Sequence, residues 1–156
     1  MKDTLLMLTA TGVALAGTLA LMAALQVSNS RAKASSMVDV AQRLYANAAP
    51  ASFDAKCKGT GVELEVEGER HTCTRPDGAS IVRFSGDDVT QVSVYRKGIR
   101  KDAFGQIKGK LGKPDSVKTL GALKMHFWFT KEATVTVGFQ SSAESRSTMV
   151  SFRSPS

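Results

Sequence analysis

Hydrophobic and polar positions change their period several times along the chain. From Leu5 to Val27 apolar residues run almost unbroken, LLMLTATGVALAGTLALMAALQV, with one amide at Gln26. A helix over that stretch, rising about 1.5 Å per residue, is long enough to cross a hydrocarbon core of about 30 Å. Residues 28–36 (SNSRAKASS) are small and polar, a linker pattern. Between Ser36 and Ala48, Met37, Val40, Ala41 and Leu44 recur at spacings of three and four. This predicts a short amphipathic helix with Ser36 as N-cap and Ala49-Pro50-Ala51 as its stop.

From Gly61 the period falls to two. Val62, Leu64 and Val66 point one way, and Glu63 and Glu65 the other. With Glu67-Gly68 as a two-residue turn, Glu69 to Thr74 returns antiparallel. That register sets Val62 against Cys73, Leu64 against His71 and Glu65 against Arg70. Arg75-Pro76-Asp77-Gly78 is a turn sequence. Ala79 to Phe84 and Val89 to Tyr95 make a second hairpin.

Ala103, Phe104, Ile107 and Leu111 restore a helical face, closed by Gly112 with Pro114 two positions on. Gly105 and Gly109 each cost a helix about 1 kcal/mol relative to Ala, and the spacing suggests a small-residue face that lets the helix approach a sheet. Four more segments are rich in β-formers: Ser116–Thr119, Leu123–Phe129, Ala133–Phe139 and Ser147–Phe152. Pairing around Lys131-Glu132 sets Trp128 against Val135 and His126 against Val137, with Met125, Phe127 and Phe129 opposite. Bulk on both faces predicts a central hairpin covered on each side.

The expected fold is α+β: a mostly antiparallel sheet of about 6–8 strands with one covering helix. A short helix and an N-terminal hydrophobic helix precede it. The pattern divides the chain into three parts: an apolar segment over 1–27, a linker with a short helix over 28–52, and a folded domain over 53–156. No internal repeat is evident. The order strand, helix, Leu111-Gly112-Lys113-Pro114, strand, Trp128, strand, from Val89 to Phe139, resembles small uncharacterised exported bacterial domains. That resemblance implies an envelope protein and carries over no functional residue.

The leading segment has two readings. Its length favours a retained anchor. The small-x-small sequence Ala32-Lys33-Ala34 favours a signal peptide cut after Ala34. The expected location is therefore an inner membrane with the domain facing the periplasm, or the periplasm or exterior after cleavage. Basic residues on both sides of the segment leave its orientation open. Cys57 and Cys73, the only cysteines, flank a hairpin arm; the expectation is a disulfide between them, which would need an oxidising compartment, and the alternative is two buried free thiols.

Charge is unevenly distributed. The chain carries +7 overall. Between Arg96 and Lys118 stand Arg96, Lys97, Arg100, Lys101, Lys108, Lys110, Lys113 and Lys118, opposed only by Asp102 and Asp115. This segment is the candidate surface for an anionic partner: anionic lipid, an acidic envelope polymer or an acidic protein. No nucleic-acid motif appears, and aromatics do not interleave with the cations, so nucleic acid is not expected.

Glu63, Glu65, Glu67 and Glu69 alternate as a half-exposed strand does. The two histidines, His71 and His126, lack metal-ligand spacing, and no metal or cofactor is expected. Nor is there a nucleophile elbow, a phosphate loop or a haem motif. The expectation is a non-enzymatic envelope protein acting as a binding or accessory module. The alternatives are an envelope-polymer hydrolase, with His126 near Trp128 as its site, and a small inhibitor or accessory subunit.

Overall fold

A computed structural model describes residues 37–155. The apolar run, the linker and the Ser36 cap lie outside those residues. The chain forms helix α1 (37–47) and helix α2 (Pro50–Gly59), then strands β1 (Glu63–Glu67), β2 (Arg70–Arg75), β3 (Gly78–Ser85) and β4 (Asp88–Lys97). Next come helix α3 (Lys101–Leu111) and strands β5 (Ser116–Leu120), β6 (Leu123–Phe129), β7 (Thr134–Ser141) and β8 (Arg146–Arg153). All eight strands make one antiparallel sheet in the order β1-β2-β3-β4-β8-β7-β6-β5.

The α+β class and the antiparallel sheet stand as expected. The single covering helix does not, because α1 and α2 cover the sheet as well as α3. Pro50, expected only to stop a helix, also starts one. Proline at the first helical position has no hydrogen bond to lose, so the residue that ends α1 begins α2. The Ser52 hydroxyl bonds back to the Ala49 backbone at both N–H and carbonyl, 3.3 and 3.0 Å. Only Phe53 and Cys57 of α2 are buried, a stripe too thin to register as a helical period.

Helices α2 and α3 each open a unit of one helix followed by a four-stranded meander, edge strand first. The architecture thus repeats although the residues do not. The two meanders join where β4 meets β8, with Val94 opposite Val150. At that corner the buried Thr148 hydroxyl accepts from the Arg100 N–H (2.6 Å) and donates to the Gly98 carbonyl (2.9 Å). At Gly78, where β3 begins, φ is +155° and a Cβ would meet the Tyr95 carbonyl oxygen, so only glycine fits.

The first hairpin turns at Gly68-Glu69, two positions along in register from the expected pairing. Leu64 faces Cys73, Val66 faces His71, and Glu67 faces Arg70. A two-residue change preserves which face each side chain takes. For β6 and β7 the expected pairs hold: Trp128 with Val135 and His126 with Val137.

The core lies between the helices and one face of the sheet. Met37, Val38 and Ala41 from α1, Phe53 and Cys57 from α2, and Ala103 and Ile107 from α3 pack on Val82, Val92, Val94, Val135, Val137, Val150 and Trp128. Helix α1 and the start of α2 thus share one core with the strands. Gly105 and Gly109, expected to approach the sheet, are exposed, and a Cβ on either would meet open space. Buried Ala103 and Ile107 put α3 on the sheet by its other side.

The hairpin β6–β7 is not central: β6 is one strand from the edge. Its Met125, Phe127 and Phe129 point to the face opposite the helices, where Phe129 remains 60% exposed. Aromatic bulk on both faces here does not mean cover on both. Phe127 and Phe129 stack on each other instead (centroids 6.4 Å, 11° between planes), with the Lys118 ammonium 5.8 Å from the Phe127 ring.

Candidate functional site

Cys57 on α2 and Cys73 on β2 are joined in a disulfide, their Cα atoms 5.8 Å apart, and both are buried. Two positions before Cys73, His71 Nδ1 lies 2.7 Å from Asp54 Oδ1, again linking β2 to α2. The imidazole is buried and meets Phe84 edge-on at 5.0 Å. A carboxylate orienting an imidazole is one part of a hydrolytic site. Here the imidazole is buried under α2 while Asp54, on that helix, is partly exposed, and no hydroxyl or thiol among the described residues is hydrogen-bonded to the pair.

His126 sits under α3 among rings: Phe104 at 4.5 Å, Phe139 at 6.2 Å and Trp128 at 6.4 Å. Its Nδ1 is enclosed without a hydrogen-bond partner. Loss of water, and secondarily Lys124, lowers its pKa below the ordinary histidine value. The neutral ring is therefore a packing element.

The Leu-Gly-Lys-Pro-Asp segment folds back on the same strand. Gly112 ends α3 with φ +78°, and its carbonyl accepts the Trp128 indole N–H at 3.0 Å. Asp115 accepts from the Phe129 N–H at 2.8 Å, and its own N–H donates to the Phe127 carbonyl. The motif behind the resemblance therefore fastens α3 to β6.

The basic segment is divided between the two layers. Arg96 is largely enclosed, donates to the Tyr95 carbonyl (2.7 Å) and lies 3.6 Å from Asp77. Burial lowers its pKa, and Asp77 opposes that effect. The Arg100 backbone N–H donates to the Thr148 hydroxyl. Lys110 reaches Gln42 of α1 at 2.9 Å. Lys101 and Lys108, seven positions apart, share the exposed side of α3, and Lys113 is exposed in the loop after it. Lys97 and Lys118 stand on the uncovered face of the sheet.

That uncovered face holds a second group of cations, which periodicity and charge runs do not reveal. Strand alternation and register bring Arg70, Arg83, Gln91 and Arg153 into one row across β2, β3, β4 and β8. Neighbouring strands are about 4.8 Å apart, so Arg83 and Arg153, on either side of Gln91, are about 10 Å from each other along the row. Beside this row runs another, Thr72, Ser93, Ser151 and Thr136, all buried. Ser93 and Ser151 hydroxyls bond to each other at 2.9 Å. A third row brings Tyr95, Met149 and Met125 together over Gly138. The arginines come from three separate strands, so no run of sequence announces them.

A half-open groove of about 440 Å³ lies between α1, the end of α3 and the β6–β7 turn. Tyr45, Val135 and Phe152 line it, with Lys110, Lys131 and Glu132 among its polar residues. Its polar groups already bind one another: Tyr45 donates to the Glu132 carbonyl at 3.1 Å. Among the described residues, no His, Cys, Asp or Glu cluster could hold a metal ion, and no helix is long and apolar enough to cross a membrane. No protein-family model, curated protein or solved structure matches the chain.

Proposed function

We propose that the protein is a non-enzymatic binding or accessory module of the bacterial envelope, held at the outer side of a membrane by residues 5–27 or released after cleavage near Ala34. The observation that carries this reading is the Cys57–Cys73 disulfide in the core between α2 and β2. Such a bond persists where thiols are oxidised. The apolar run of the leading segment supplies a route to such a compartment. Its partner is anionic: lipid, an acidic envelope polymer or an acidic protein. The packing of His126 among aromatic rings and the pairing of buried His71 with Asp54 favour binding over hydrolysis.

The test is the intact mass of the full chain recovered from its native membrane, alkylated with and without prior reduction. Two alkyl groups appearing only after reduction support the reading, and the same mass reports whether the first 34 residues are retained. Alkylation of both cysteines in intact cells by a reagent confined to the cytosol overturns it.

A further inference from the structure

We propose that the uncovered face of the sheet, rather than the outer side of α3, docks on an anionic phospholipid surface. This rests on the envelope reading above and names the contacting surface and its ligand.

Across the sheet from β2 to β5, that face carries Arg70, Arg83, Lys97, Arg153 and Lys118. In strands β2 to β8 the only Asp or Glu is Asp88, the first residue of β4 beside its turn. The carboxylates Glu63, Glu65 and Glu67 share this face on edge strand β1, where Glu67 stands opposite Arg70 at 3.6 Å, so the unopposed cations are those from β3 to β5. The cations surround hydrocarbon. Leu120 is 64% exposed and Phe129 60%, and between them lie Leu123, Met125 and Phe127 on one strand. Gly138 makes room for this patch: a Cβ there would lie 3.3 Å from the Met149 methyl and 3.7 Å from Met125. The Lys118 ammonium stands over the Phe127 ring, 5.8 Å from its centroid, which puts a cation directly on the apolar patch.

The outward polar partners a polysaccharide would use are sparse between the cations: Gln91, Tyr95 and, at the far end of β7, Gln140. Thr72, Ser93, Ser151 and Thr136 are buried between the rows, and Ser93 and Ser151 are bonded to each other. From β3 to β5 the face offers mainly cations and hydrocarbon, which are the two groups an anionic bilayer surface pairs with. Nine residues, 28–36, separate Val27 from Met37. Even fully extended they reach only about 30 Å. A retained anchor would therefore hold the domain at high effective concentration beside headgroups.

The test uses the full chain, with Cys57–Cys73 closed, in phosphatidylcholine vesicles with and without phosphatidylglycerol. An environment-sensitive dye is placed at Leu120→Cys or, in a second preparation, at Lys108→Cys. The proposal expects a blue shift and protection from iodide at position 120 only when phosphatidylglycerol is present, and no change at 108. High salt should remove the protection. Arg83→Glu, Lys118→Glu and Arg153→Glu together should weaken it about 100-fold. The salt titration keeps the test decisive if that triple variant does not fold.

Protection at 108 instead, or protection at 120 independent of lipid charge, overturns the proposal. So does retention on an acidic polysaccharide that the triple variant loses while vesicles have no effect. Oxidised cysteines with an unprotected position 120 would sink the docking surface and leave the envelope reading standing.

Discussion

The two helix-plus-meander units share an architecture and differ in how each helix is fastened. Helix α2 is held on its strands by a covalent bond and by the Asp54–His71 pair, and only Phe53 and Cys57 are buried. Helix α3 has no such bond. It relies on Ala103 and Ile107 in the core, on Phe104 against His126 and Trp128, and on the indole-to-Gly112 hydrogen bond. A helix with little apolar surface needs a cross-link, and one with a full apolar face does not.

The largest break in this contrast should come from Trp128. Trp128→Ala removes the buried ring and the bond to Gly112, and should cost about 3–5 kcal/mol in denaturant unfolding. Its neighbour Phe129→Ala, on the uncovered face, should change stability by no more than about 0.5 kcal/mol. Equal losses would mean that the second face is covered too.

Next comes the first unit. Replacing Cys57 and Cys73 together by Ala should cost about 3 kcal/mol, the value expected for a loop of this length. Amide exchange should then rise in β1 and β2 before β5 and β6. Uniform exchange across the sheet would show that the bond does not secure one unit in particular.

A smaller effect of opposite sign should come from α3. Gly105→Ala and Gly109→Ala place a methyl in open space and should each raise stability by about 1 kcal/mol. Destabilisation would put that side of the helix against something else.

The smallest is a pH dependence. Because the folded-state pKa of His126 is lowered, the unfolded chain takes up its proton first as pH falls. The contribution of the neutral ring is complete above the ordinary histidine value of about 6.5. It declines as pH drops from there toward the lowered value. His126→Phe should flatten the slope of the unfolding midpoint between about pH 7.5 and 5.5. An unchanged slope would assign it to other groups.

Much of the sheet is legible in the sequence because antiparallel strands announce themselves by alternation and turn residues. Arg75-Pro76-Asp77-Gly78 and the pairing about Lys131-Glu132 both hold. Helix α2 is hidden because a cross-link replaces the apolar stripe that periodicity detects. The uncovered face misleads because Phe127 and Phe129 look like core side chains in sequence and stack on each other in space. The basic residues 96–118 are contiguous in the chain, but a strand and a helix take them into opposite layers. Arg70, Arg83 and Arg153 are distant in the chain, and hydrogen-bond register alone makes them neighbours.

The junction of β4 with β8 has a consequence for how the molecule is made. Each of these strands is the last of its unit, so Gln91 to Lys97 of β4 wait unpaired on one side until Arg146–Arg153 arrives. A chain cut short of that keystone would not retain a tidy half. It would offer two adhesive borders at once, those of β4 and β7, each ready to recruit a stranger.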